Sequence, residues 1–186
     1  MAKASEIKTG NILRVNNELV TVDEWNHRTP GKGGAFYTGK FRNIKTGRLV
    51  EARMNTDEAV EICRVETNDY QYLYEEGDSL VVMDNNTYEQ FNVSKSLFGN
   101  SIKFLKEGMT VIVSIESDEP IMAQLPNFAE FEITYSEPAV KGDTSTNALK
   151  AATLENGVEV KVPLFVNQGD KIKVDTRTGE YVERVK

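Results

Sequence analysis

Short alternating runs of apolar and polar residues, separated by turn residues, fill the first third of the chain. Such alternation is the period of a strand with one buried face. Turn signals separate the runs, for example Asn16-Asn17 and Lys45-Thr46-Gly47-Arg48. Four of the five strand candidates lie at residues 12–15, 19–25, 36–41 and 49–54. Because no convincing helix interrupts them, the pattern predicts a small five-stranded barrel that ends near Cys63.

Two further units show the same pattern. In the second, strands are predicted at residues 70–74, 80–83, 88–93, 110–115 and 121–123, with one short helix, broken near Gly99, in residues 94–104. In the third, strands are predicted at residues 128–135, 158–163, 172–174 and 181–182, and residues 137–149 are interpreted as a loop. Both units fit a five-stranded oligonucleotide/oligosaccharide-binding (OB) barrel. The pattern therefore predicts three domains, at residues 1–63, 64–126 and 127–186.

A stripe of tyrosines marks the second unit. Tyr70, Tyr72 and Tyr74 recur at every second position, as on one face of a half-buried strand. Aromatic faces stack on unpaired bases, so a nucleic-acid platform is one interpretation. The charged residues next to the stripe are all acidic, which favours packing in the protein core instead.

Length and composition limit the class of protein. A chain of 186 residues can hold one ordinary domain or two to three small barrels. No apolar run is long enough to span a membrane and no secretory signal peptide is present, so we expect a cytoplasmic protein. The single Cys63 can form neither an internal disulfide nor a zinc site. It is expected to be a small core residue.

The charge is unevenly distributed along the chain. Residues 1–64 carry 11 Lys and Arg against 8 Asp and Glu, whereas residues 65–186 carry 11 against 21. Within residues 27–53, seven basic residues face a single acidic residue, Glu51. This asymmetry favours a basic end that meets phosphates, while the acidic remainder avoids them. A solvated basic face is the alternative.

The basic segment contains one unusual loop, Thr29-Pro30-Gly31-Lys32-Gly33-Gly34-Ala35. Strand-like runs on both sides predict a hairpin tip, and the glycines leave no side chains beside Lys32. The spacing does not match a Walker A phosphate loop, and Gly33 stands where that motif has Ser or Thr, so the sequence does not favour a nucleotide site. The loop therefore presents one uncrowded cation, unless it is only a turn with a solubilising lysine.

The sequence does not favour an independent enzyme. Nucleophilic catalysis needs a base held near a serine or cysteine, and His27 is the only histidine. No Gly-x-Ser-x-Gly or His-Glu-x-x-His arrangement occurs. The sequence leaves one alternative open, a catalytic pair of carboxylates that only the folded chain brings together.

Several separated motifs together carry a resemblance to a known family. They are the loop from Pro30 to Phe36, the Gly142-Asp143-Thr144 segment, the ending at residues 174–186, and a signature within residues 150–169. The fixed positions of that signature are Lys150, Ala152, Gly157, Val160, Val162, Pro163, Val166 and Gly169. Over essentially its whole length the chain resembles bacterial elongation factor P.

The resemblance implies a fold and a function. The fold would be three β-barrels, an SH3-like (KOW-like) N-terminal barrel and two OB barrels, arranged in an L similar in outline to transfer RNA. Members bind the ribosome between the peptidyl-tRNA and exit sites and relieve stalling at consecutive prolines. Lys32 would point into the peptidyl-transferase centre. In many members the matching lysine carries a β-lysyl or other aliphatic amino extension, which implies a lysine-modifying enzyme and no other cofactor.

The resemblance and the charge pattern together give the expected site. Pro30, Gly31, Gly33 and Gly34 would frame Lys32, and Gly142, Asp143 and Thr144 would lie near the exit-site codon of the messenger RNA. His27, Arg28, Lys40 and Arg42 would hold the RNA backbone. We expect a monomer without a metal site. The alternatives are a specialised paralogue of the family and a single-stranded RNA-binding barrel protein with no part in peptidyl transfer.

Overall fold

The structure, a computed structural model, describes residues 1–139 and 148–186. The described chain consists mainly of antiparallel strands in three sheets, with short 3₁₀ helices at Ala4–Glu6 and Lys95–Phe104. The predicted all-β class is confirmed.

The chain forms two compact units. One contains residues 1–67 and 114–122, and the other contains residues 68–113 and 123–186. The three-domain boundaries stay a prediction. Within the described residues, no helix has the length and apolar character needed to cross a membrane.

The first sheet has six strands in the order β1-β6-β2-β3-β4-β5. They are β1 (Ala2–Lys3), β2 (Ile12–Val15), β3 (Glu18–Arg28), β4 (Phe36–Asn43), β5 (Leu49–Asn55) and β6 (Ala59–Cys63). The sequence predicted five, because the two-residue β1 is too short to show a period. The core of this sheet contains Leu13, Val22 and Phe41, all less than 5% exposed. Cys63 is buried, as expected.

The second sheet has five strands in the order β11-β10-β7-β8-β9. They are β7 (Glu66–Glu76), β8 (Ser79–Met83), β9 (Gln90–Ser94), β10 (Thr110–Glu116) and β11 (Glu119–Gln124). Tyr70 and Tyr72 are buried in the core, which confirms core packing for these two. Tyr74 is 52% exposed, because a β-bulge between Tyr72 and Tyr74 shifts the register against β8. The predicted break at Gly99 is also confirmed, with φ +59°.

The third sheet has five strands in the order β14-β13-β12-β15-β16. They are β12 (Phe128–Ser136), β13 (Leu149–Leu154), β14 (Glu159–Pro163), β15 (Lys171–Asp175) and β16 (Tyr181–Val185). The sequence pattern missed β13. Its run Lys150-Ala151-Ala152 is buried throughout and contains no β-branched residue, so neither alternation nor strand propensity marks it.

The last residue of β15, Asp175, has a strongly perturbed carboxylate. Arg177 donates to Asp175 from Nη2 at 2.7 Å, from Nε at 3.1 Å and from its backbone N–H at 2.9 Å. These bonds favour the charged carboxylate and lower the pKa of Asp175 from 3.8 to about 2.

We predict that the Asp175 carboxyl titrates with a midpoint near 2. Because the folded pKa lies below the unfolded pKa, the carboxylate stabilises the fold at neutral pH. That contribution is lost as the pH falls from about 4 towards 2. The check is a carboxyl NMR titration together with urea unfolding of the wild type and Asp175→Asn. The stability difference should narrow over that window, and Arg177→Gln should move the midpoint back up. A wild-type midpoint near 4 would contradict this assignment.

Candidate functional site

The loop predicted from the sequence lies at the tip of the hairpin formed by β3 and β4. The two strands pair in antiparallel register out to Arg28 and Phe36, and residues 29–35 connect them. The predicted hairpin tip is therefore confirmed. On its other edge β4 pairs with β5, from Arg42↔Leu49 to Phe36↔Asn55. The hairpin is thus part of a three-stranded arm of the first sheet.

Lys32 lies at the exposed tip of this arm. Its amine forms no hydrogen bond or ion pair with the residues that the structure describes. Gly33 has φ +109°, a conformation that favours glycine. Of the three loop glycines, only Gly33 has a positive φ. Gly31 and Gly34 lie outside the left-handed region, and an added Cβ at either would meet nothing within 4 Å.

One face of the arm is a row of stacked aromatic rings, here called the aromatic face: His27, Tyr37, Trp25 and Phe41. Successive ring centroids are separated by 4.8, 5.4 and 5.5 Å, and the planes of Trp25 and Tyr37 differ by only 2°. The Trp25 indole N–H donates to the carbonyl of Ala4 at 3.1 Å. The row runs from buried Phe41 to exposed His27, so it extends the core into the arm.

Gly39 makes this row possible. A Cβ at this position would lie 2.0 Å from the carbonyl oxygen of Glu24 and 2.6 Å from Cε3 of Trp25. Since Gly39 pairs directly with Trp25 across the strands, the missing side chain is the space that the indole ring occupies. The sequence analysis did not single out Gly39, although a glycine inside a strand run signals such a close approach.

The opposite face of the arm is polar and carries most of the predicted RNA-binding side chains. Its residues, here called the polar face, are Glu24, Asn26, Arg28, Phe36, Thr38, Lys40, Arg42, Glu51 and Arg53. Successive side chains of a strand point to opposite faces. Three of the predicted residues, Arg28, Lys40 and Arg42, therefore share this face. His27 lies on the aromatic face and packs against Tyr37.

Two of the predicted RNA-binding cations are already paired within the arm. Lys40 Nζ donates to Glu24 Oε1 at 2.9 Å, which raises the pKa of Lys40. Arg42 donates to Asp23 Oδ2 from Nη2 at 2.6 Å and from Nε at 2.9 Å. The charge count over residues 27–53 missed both acids because they precede the window. The strand register alone would have placed Glu24 opposite Lys40.

The remaining predictions about the site concern Arg28, the Gly142-Asp143-Thr144 segment, metal binding and Cys63. Arg28 is exposed and has no ion-pair partner in residues 1–139 or 148–186. Gly142, Asp143 and Thr144 lie outside the described residues. In the described part of the chain, no group of three or more His, Cys, Asp or Glu residues could hold a metal ion. Burial raises the pKa of the Cys63 thiol, so this group is a poor nucleophile.

Comparison with known protein families decides the relationship. Three family models match in order along the chain. They are the elongation factor P KOW-like domain at residues 3–60, the elongation factor P OB domain at residues 65–123, and the elongation factor P C-terminal domain at residues 129–184. An elongation factor P from Desulfitobacterium hafniense is 44% identical and covers 99% of this chain and 100% of that protein.

The chain belongs to the elongation factor P family. A relative from Chloroherpeton thalassium, also an elongation factor P, is 46% identical over 100% of both chains. Family membership makes the chain a translation elongation factor, as the resemblance of its motifs indicated. The KOW-like domain of the family contains the whole arm with Lys32.

Solved structures of more distant proteins share the fold. Eukaryotic translation initiation factor 5A from Methanococcus jannaschii matches 67% of this chain and 94% of its own, with a TM-score of 0.51 and 20% identity. A translation initiation factor 5A family protein from Naegleria fowleri gives a TM-score of 0.55 at 18% identity over the same shares. About two thirds of this chain therefore has the fold of these initiation factor 5A proteins.

We predict that Gly39→Ala destabilises the protein by about 1–3 kcal/mol, because the added methyl must displace the Glu24 backbone or the Trp25 ring. Urea denaturation with tryptophan fluorescence measures this, since Trp25 is the only tryptophan. The control is Gly34→Ala, which should change the stability by less than about 0.5 kcal/mol. Equal effects of the two variants would contradict the proposed role of Gly39.

Proposed function

We propose that this chain binds the ribosome between the peptidyl-tRNA and exit sites and promotes peptide-bond formation at runs of proline. In this proposal Lys32 enters the peptidyl-transferase centre and positions the peptidyl-tRNA. The family relationship supports a role in translation elongation. The observation that carries the finer proposal is the geometry of the arm, in which an exposed lysine lies at the tip of a core-anchored hairpin.

The loop glycines support insertion into a narrow space. Gly31 and Gly34 adopt ordinary backbone angles and have room for a side chain within the protein itself. Their small size is therefore not a demand of the fold. A crowded RNA cavity around the tip would supply that demand, since it would admit a bare backbone and a single extended side chain.

The proposed mechanism is positional. Proline attacks poorly because its ring restricts the approach of the reacting groups. Correct orientation of reactants can remove several kcal/mol of barrier, up to about 7–11 in ideal intramolecular cases. Lys32 would hydrogen-bond the ribose or phosphate of the tRNA end and hold it in place, while ribosomal RNA performs the reaction. No residue of this chain needs to exchange a proton, so the chain is proposed to be no enzyme by itself.

The proposal includes a covalent modification of Lys32. An aliphatic amino extension, added by a dedicated enzyme, would lengthen the reach of the side chain without changing the arm. The accessibility of Lys32 at the tip supports such a reaction. The active form is proposed to be a cytoplasmic monomer with no other cofactor.

We predict a fixed mass increment on Lys32 in protein purified from its native host. The extension should be absent from protein made in cells that lack the modifying enzyme. Intact-mass spectrometry followed by peptide mapping measures it, and Lys45 in the β4–β5 turn is the internal comparison. An unmodified Lys32 in actively translating cells would contradict this part of the proposal.

We predict that Lys32→Ala abolishes the acceleration of polyproline synthesis, because the amine that orients the tRNA is lost. The measurement is dipeptide and polyproline formation in a reconstituted translation system, with a template that lacks proline as the reference. Lys45→Ala removes the same group from another exposed loop and should have full activity.

A further variant separates the fit of the loop in an RNA cavity from the folding of the protein. Gly34→Ala leaves Lys32 in place and should fold normally, yet it should slow polyproline synthesis by up to about 100-fold if the loop enters a tight cavity. Full polyproline activity of Lys32→Ala would refute the positional mechanism.

A further inference from the structure

The charges on the polar face are divided along the length of the arm. Near the barrel, Lys40 lies between Glu24 and Glu51 on the neighbouring strands and is hydrogen-bonded to Glu24. Towards the tip, Arg28 and Arg53 form no ion pair with any described residue. The half of the face nearest Lys32 therefore carries the uncompensated positive charge.

Arg53 is held in place without donating a hydrogen bond to any residue that the structure describes. Its guanidinium carbon lies 4.0 Å from the centre of the Phe36 ring, over the face of that ring. A guanidinium over an aromatic ring is attracted to it, and its N–H groups stay available for a partner. Arg53 was counted in the basic segment of the sequence but was assigned no role of its own.

The strand register brings Arg53 and Arg28 to the same groove. Arg28 pairs with Phe36, and Arg53 pairs with Thr38 two residues along β4. The two arginines thus lie on the outer strands with β4 between them. Two strand spacings across the sheet and two residues along it separate their backbones by about 12 Å. They line a groove of about 370 Å³ together with Asn26 and Thr38. The end of the groove nearer the first-sheet core is lined by Lys40 and the carboxylates Glu24 and Glu51, so the two arginines provide the positive charge at the end nearer the tip.

We propose that Arg28 and Arg53, here called the distal arginine pair, bind neighbouring phosphates of an RNA strand that lies along the polar face. Guanidinium groups bind phosphate oxygens through two parallel N–H bonds, which also fixes the orientation of the strand. The inference rests on the proposed function and adds to it. RNA contacts the arm on the polar face, and Lys40 and Arg42 serve mainly to pair with Glu24 and Asp23.

The test is the salt dependence of ribosome binding by the full-length protein. Each lost phosphate contact should reduce the slope of log affinity against log salt by about 0.7–0.9. Arg53→Gln and Arg28→Gln should each reduce the slope by this amount. At every salt concentration between about 50 and 200 mM, each variant should bind ribosomes at least about threefold more weakly than the wild type. Arg53→Lys, which keeps the charge but lacks the planar fork, should restore the slope and only part of the affinity.

The matched control is Arg48→Gln. It makes the same charge change in the β4–β5 turn, at the opposite end of the arm, and should leave the slope unchanged. Thermal unfolding of every variant confirms that the fold is kept. Ribosomes with and without peptidyl-tRNA identify the RNA: a loss seen only with peptidyl-tRNA assigns the phosphates to tRNA, and a loss seen with both assigns them to ribosomal RNA.

Two results would overturn the inference. If the distal arginine variants behave like Arg48→Gln while the wild type binds ribosomes, the phosphate site is wrong and the proposed function stands. If the wild type itself does not bind ribosomes at moderate salt, both are wrong.

Discussion

The seating of the Trp25 ring against the backbone of Gly39 is the contact on which the arm depends. A two-stranded hairpin is at best marginally stable in water by itself. Here Trp25 stacks between Phe41 and Tyr37, and its indole N–H is bonded to the carbonyl of Ala4. The apolar core of the first sheet thus continues outwards along one face. Any side chain at residue 39 would fill the space of the ring, so this glycine is required by the protein itself.

The aromatic face leaves the other face of the arm available for binding. Since alternate side chains of a strand point to opposite faces, the residues that anchor the arm and the residues that meet a partner need not compete. The ion pairs Lys40–Glu24 and Arg42–Asp23 lie on the polar face close to the barrel. Exposed pairs of this kind contribute little stability. Their larger effect is to neutralise charge near the barrel, so that uncompensated charge lies towards the tip.

The sequence predicted the elements whose signals are local. The alternation of Leu19 to Trp25 and the turn residues after Ile44 were enough to place β3, β4 and β5. It failed where tertiary structure decides. The β13 run Lys150-Ala151-Ala152 is a strand because both faces are buried, and Tyr74 leaves the core because a bulge shifts β7. The pairing of Lys40 with Glu24 needed the hairpin register, which composition alone does not contain.

The glycines of the arm are of two kinds, those that the fold requires and those that it does not. Gly39 has no room for a methyl group, and Gly33 has a backbone conformation that penalises one. Contacts and backbone geometry within the chain therefore explain both of these glycines. Gly31 and Gly34 have neither reason, and Lys32 between them has no partner among the described residues. Under the proposed function, a negatively charged and sterically narrow partner accounts for both features. An RNA cavity has both properties, whereas bulk solvent would accept any polar loop.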